Sequence, residues 1–167
     1  MQTISSIVHG LARLMALLGG FVLVLLVLMT TASIAGRAMS SIGLAPIPGD
    51  FELVEMGMAF AVFAFLPWCQ LQRGHASVEI MSNLFGNRGN AFLDLVSDLL
   101  MFLVALLITW QLGLGMLDKK SYFETSFILQ WPSWWGYATA LAGACVFSLV
   151  AFYCLLRSIR HVFRPHT

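Results

Sequence analysis

The sequence predicts an all-α integral membrane protein with four transmembrane helices and a short interfacial amphipathic helix between the second and the third. Three observations predict it. Of the 167 residues, 59% are hydrophobic and only 10% are charged, with a mean hydropathy of +0.86. A soluble domain carries about 25% charged residues, so this chain cannot cover itself with polar surface in water. The few charges are grouped, leaving long uncharged stretches, and about 20 apolar residues suffice to cross a bilayer as a helix. The stretch from Asp50 to Phe85 repeats this plan in miniature: carboxylates, an apolar run, the group Arg73-Gly74-His75, then an amphipathic segment.

The first uncharged stretch, Leu14 to Gly36, lies between Arg13 and Arg37 and predicts a span over 14–36. Its Ser33-Ile34-Ala35 has the small residues of a cleavage site, but a secretory signal has an apolar region of only 7–15 residues, so the span is expected to be retained. Asp50, Glu52 and Glu55 precede the second run, Met56 to Gln72, and Arg73 follows it. Acids at the start and a cation at the end suit the helix dipole, which places a span over 51–72. From Ser77 to Phe85, rotation of about 100° per residue gathers Val78, Ile80, Met81, Leu84 and Phe85 on one side, with Glu79, Ser82 and Asn83 opposite. That is the pattern of a helix lying on a membrane surface, here over 77–86.

Leu99 to Leu117, uncharged between Asp98 and Asp118, predicts the third span over 91–117. Thr125 to Leu156 is uncharged but interrupted by Pro132. Proline suits a first helical turn, so the fourth span is expected to start near Ser133 and cover 133–156. All four helices read as one membrane domain, 1–167. Gly136, Ala140, Ala144 and Ser148 recur every four residues on the fourth helix, and Ala12, Ala16 and Gly20 on the first. Such small residues let helix backbones approach in lipid, either within the chain or against a partner.

Little supports catalysis. A net charge of +1 implies no nucleic-acid partner. Cys69, Cys145 and Cys154 all lie in apolar runs and read as small buried hydrophobes. None of the four histidines is at the middle of a span, whereas a haem anchor needs axial ligands there. With no phosphate loop, metal-ligand cluster or nucleophile–base pair, no catalytic residue, cofactor or metal is expected. The remaining polar candidates are structural or partner-interface residues. Arg37 is expected near the level of Glu52 and Glu55, as an ion pair. Asp94 and Asp98 are four apart on one helix face. They either pair with Arg73 and His75, in a cluster centred on Asp98, or handle ions, as intramembrane carboxylates often do. Glu79 lies on the polar side of the surface helix.

Several of these residues, in this order, form a pattern. It comprises Arg37; Pro48, Gly49, Asp50, Glu52 and Leu53; Leu66 and Pro67; Arg73, Gly74, His75, Val78 and Glu79; Leu93 and Asp94; and Trp131-Pro132-x-Trp134. Nearly the whole chain resembles the small membrane subunit of tripartite ATP-independent periplasmic (TRAP) transporters, the DctQ family. Ala76-Ser77 stands where a His-Ile type sequence is more usual, and Glu79 where an aspartate is common. The resemblance implies a non-catalytic subunit of the bacterial inner membrane. It would scaffold a large DctM-like membrane subunit, which carries the substrate path and sodium sites, while a DctP-like periplasmic protein delivers an organic acid for symport. A rival reading is a small membrane anchor of a redox or cytochrome-type complex, which mid-span histidines would support. Another is a self-contained transporter or channel, but Thr30, Thr31, Ser33, Thr109, Gln111, Thr139 and Ser148 form no evident file across the membrane.

Orientation follows from lysine and arginine. One side holds Arg13, Arg73, Arg88, Arg157, Arg160 and Arg164, and the other holds Arg37, Lys119 and Lys120. Six against three places both termini in the cytoplasm. Trp131, Trp134, Trp135 and Tyr137 then form an aromatic belt at the outer surface, or a docking surface for a soluble partner. A periplasmic phosphatase fused after Thr167 should be inactive and a cytoplasmic reporter active; the reverse pattern overturns this topology.

Overall fold

In hydrocarbon a backbone N–H or C=O finds a partner only within the protein, so the apolar stretches fold as helices. The computed structural model describes residues 2–40, 43–72 and 86–163. Within them are α1 (Gln2–Ala38), α2 (Asp50–Leu71), α3 (Gly86–Ser121) and α4 (Trp134–Phe163). Each contains a segment long and apolar enough to cross a membrane: Ser5–Ala38, Asp50–Leu71, Phe92–Ser121 and Trp134–Arg160. The fold is therefore all-α, with four membrane-spanning helices. The surface helix expected over 77–86 lies outside the described residues, except that Gly86 begins α3.

The helices run past the uncharged stretches. Arg13, Asp94, Asp98 and Arg157 all lie inside helices rather than at their ends. Long cationic side chains reach back to the interface from within a helix, and a carboxylate that finds hydrogen bonds need not end one. At α4 the proline reading holds: Pro132 precedes the helix, and its carbonyl accepts from Trp135 N at 3.1 Å. Pro67 behaves differently. It lies inside α2, buried, and the helix continues through it.

Neighbours in space are not neighbours in sequence. α1 packs on α2, α2 on α4, and α4 on α3, while α1 touches α4 only slightly. The helices thus form a row, α1–α2–α4–α3, with α4 inside it. Burial agrees: 44% of the α4 span is buried, against 11–17% for the other three. The small-residue stripe of α4 is used within the chain, since Ala140, Ala144 and Ser148 are all buried. Thr109 Oγ1 of α3 donates to Ala144 O at 3.2 Å and shares a 2.9 Å hydrogen bond with Ser148 Oγ. Near the other end, Ala12 of α1, Leu71 of α2 and Val150 and Cys154 of α4 form one buried cluster.

A close approach of α2 and α4 follows from two sequence features. Pro67 has no N–H, so the carbonyl four residues earlier, at Phe63, loses its helical donor. Gly143 of α4 lies over that carbonyl. A Cβ built on Gly143 would come within 2.8 Å of Phe63 Cβ and 3.1 Å of Phe63 O. Without a Cβ, the α4 backbone can sit on the α2 backbone and offer Cα–H contacts to the freed oxygen.

Alanine at Gly143 should therefore overpack this crossing, at a cost of about 1–3 kcal/mol. Gly113 of α3 has nothing within 4 Å of such a Cβ, so Gly113→Ala should keep the helix-propensity gain of about 1 kcal/mol. Thermal unfolding of the two purified variants should place Gly143→Ala clearly below Gly113→Ala; equal midpoints would mean that the crossing is looser than described.

Candidate functional site

Polar groups gather at the two ends of the row. At the loop end, the start of α2 is a hub. Gly49 has φ 78°, in the left-handed region that suits glycine, and a Cβ there would come within 2.5 Å of Leu129 Cγ. The turn thus reverses the chain and seats the 122–133 connection against α2. Asp50 then faces α1. Its Oδ2 accepts from Ser33 Oγ at 2.6 Å and lies 3.8 Å from Arg37 Nη2. Ser33 Oγ in turn accepts from Ile47 N at 3.3 Å. Ser33 and Arg37, four apart, share one face of α1.

Glu52 is two residues, or about 200°, further around α2 and faces away from α1. Its carboxylate accepts from Ser126 Oγ at 2.8 Å, Ile128 N at 2.7 Å and Leu129 N at 2.9 Å. The loop is also closed on itself, with Ser126 N donating to Trp131 O and Ser133 N to Glu124 O. It carries two non-glycine residues at positive φ, Phe123 and Gln130. Such backbone persists where surrounding contacts over-determine it, and the Glu52 carboxylate supplies three of them. The ion-pair expectation is thereby corrected in its partner. Arg37 meets Asp50, not Glu52 or Glu55, because helix rotation turns those two glutamates to the other side.

At the opposite end, Asp98 of α3 is buried, 6% exposed. Its Oδ1 accepts from Gln70 Nε2 of α2 at 3.1 Å, and its Oδ2 from Ser158 Oγ of α4 at 2.5 Å. One carboxylate therefore links three helices. Arg73 and His75, expected beside it, lie outside the described residues, as does Glu79. Asp94 is half-buried one turn earlier on α3. Sequence reasoning missed Gln70, Ser158 and Ser33. The available signal was the position of each within a helical turn or so of a charge, but hydroxyl and amide side chains are too common to be singled out that way.

Between these ends, α2 and α3 each pack on α4 while leaving a gap between them. A cavity of about 420 Å³ fills the loop end of that gap. Its floor is apolar, with Met56, Ala59, Phe63, Leu112 and Ala140; its mouth carries Glu52, Glu55, Lys119 and Glu124. Lys119 Nζ lies 2.5 Å from Glu124 Oε2. Beside the mouth, Trp135 contacts both Trp131 and Trp134, and Lys120 Nζ sits 5.5 Å from the centre of the Trp134 ring. Among the described residues, no group of three or more His, Cys, Asp or Glu side chains could hold a metal ion.

Glu52→Gln keeps the shape but weakens the charge-assisted hydrogen bonds to the loop. Proteolysis after Phe127, which is 96% exposed, should become several-fold faster, while Glu55→Gln should leave it unchanged. Equal cleavage of both variants would show that the carboxylate does not hold the loop.

The helices, their row and the hub at the start of α2 account for Arg37, Gly49, Asp50, Glu52, Pro67 and Pro132 in the residue pattern noted in the sequence. No curated protein and no solved structure matches the chain. A family model does match, that of the DctQ component of tripartite ATP-independent periplasmic transporters, over residues 26–161. This stretch runs from within α1 through α2 and α3 almost to the end of α4 and includes both polar ends. The chain belongs to the DctQ family and is a multi-pass membrane component of a TRAP transporter.

Proposed function

We propose that the chain is the non-catalytic scaffold of a TRAP transporter in the bacterial inner membrane, with both termini cytoplasmic. It anchors a large DctM-like permease during sodium-coupled uptake of an organic acid, delivered by a DctP-like periplasmic binding protein. The observation that carries this reading is the single row of helices. A row leaves two broad apolar faces and encloses no passage, which suits a fixed support held against a larger membrane protein.

The mid-span polar groups agree. Thr30 and Thr31 donate to carbonyls one turn back in α1, and Thr109 bonds to its own helix and to α4. Thr30, Thr31, Ser33, Thr109, Thr139 and Ser148 are all engaged in pairs or local bonds. Asp98, the buried carboxylate, is engaged by Gln70 and Ser158. A charged group near a helix centre costs roughly 2.5–3.5 kcal/mol in insertion measurements, and less near the interface. The three-helix linkage offsets this cost, so the carboxylate acts as a structural clamp for α2, α3 and α4.

Reconstitution tests the scaffold reading. Proteoliposomes holding this chain alone should take up no organic acid under a sodium gradient. Vesicles that also hold the large subunit, with the binding protein outside, should. Uptake by the chain alone would overturn the proposal.

A further inference from the structure

The cavity between α2 and α3 has no role in the scaffold. We propose that it binds one phospholipid with an ethanolamine headgroup, drawn from the leaflet at the loop end. The acyl chain would lie on the floor of Met56, Ala59, Phe63, Leu112 and Ala140, and the headgroup at the mouth beside Glu55 and Lys119.

Shape comes first. Glu52 at the mouth and Phe63 on the floor are eleven residues apart on α2, so the groove runs roughly 16 Å along the helix. The floor is apolar over that length, so an extended hydrocarbon chain can lie along it. The floor offers nothing to water: a water needs two to four polar partners, and dry apolar cavities take up apolar ligands.

Chemistry at the mouth selects the headgroup. The Glu52 carboxylate is committed to Ser126, Ile128 and Leu129, and Lys119 and Glu124 pair with each other. That leaves Glu55 without a hydrogen-bond or ion-pair partner among the described residues; with Glu52, Glu55 and Glu124 against Lys119, the mouth has an excess of two negative charges, and the one on Glu55 is met by no donor. The hydroxyls of Ser133 and Tyr137, also lining the cavity, are likewise uncommitted donors. An acceptor that is charged and donors that are not yet used match an ammonium and a phosphate on one molecule. A primary ammonium can donate hydrogen bonds to Glu55, which a choline group cannot, while the two hydroxyls can donate to the phosphate. A purely anionic headgroup would place its charge against Glu55.

The test uses the full chain, purified in detergent and moved into nanodiscs of phosphatidylethanolamine and phosphatidylglycerol with identical acyl chains. Native mass spectrometry then counts the lipids that stay bound. Phosphatidylethanolamine should be retained about fivefold over phosphatidylglycerol, the worth of one charge near a membrane surface. Glu55→Gln should bring that ratio close to one without abolishing binding. Ala59→Phe, which fills the floor, should lose both lipids. Ala59→Cys gives a readout that does not depend on the larger side chain folding: it should be alkylated several-fold more slowly in phosphatidylethanolamine than in phosphatidylglycerol. Equal retention of the two lipids by the unaltered protein overturns the proposal. So does wild-type retention in Ala59→Phe.

Discussion

The row of helices depends on the seating of α4 on α2, which includes the point where Gly143 lies over the carbonyl that Pro67 has freed. α1 reaches the rest of the chain mainly through α2, and α3 mainly through α4. Separating α2 from α4 would leave two helix pairs. Lipid gives no hydrophobic reward for bringing apolar helices together, so close van der Waals packing and hydrogen bonds must supply the attraction. A proline that frees a carbonyl and a glycine that lets a backbone reach it provide the close packing at this crossing. The alanines and serine of α4 extend the same packing along the helix, toward α3 through Thr109 and Ser148.

Hydrogen bonds finish what packing begins, and they sit at the ends and the centre of the row. At the loop end, Asp50 and Glu52 use their opposed directions to hold different things: Asp50 reaches α1, and Glu52 the 122–133 connection. At the opposite end Asp98 joins α2, α3 and α4. Each carboxylate is satisfied by groups from another part of the chain, so each acts over a long sequence separation. That is how a thin layer of helices with little buried core holds one arrangement. Gln70 Oε1 is the one buried side-chain oxygen or nitrogen without a partner among the described residues, and it marks the clamp end as the place where a further donor fits.

The Pro48-Gly49-Asp50-x-Glu52 pattern can now be read physically. Gly49 is needed twice, for its positive φ and for the space that Leu129 occupies. Asp50 and Glu52 must be two apart, because only that spacing turns one carboxylate toward α1 and the other toward the loop. The same geometry leaves Glu55, one turn beyond Glu52, at the mouth of the cavity with its charge uncommitted. A motif that looks like a cluster of acids is thus three separate placements set by rotation about one helix.

Much of this protein was legible in one dimension. Four spans, the break at Pro132, the aromatic group beside it and the family pattern follow from hydropathy, charge spacing and residue order, because the bilayer forces long apolar helices and pushes charges toward their ends. Helix limits were less legible, since residues such as Arg13 and Asp98 lie within helices without ending them. Rotation and neighbour order were not legible at all. In lipid, the faces that meet other helices and the faces that meet hydrocarbon are equally apolar, so hydropathy carries no trace of which is which. Only the tertiary structure set α4 between α2 and α3, gave Arg37 to Asp50 instead of Glu52, and brought Gln70 and Ser158 to Asp98. Those outcomes depend on where small residues let backbones meet, a property of pairs of helices rather than of any one stretch of sequence.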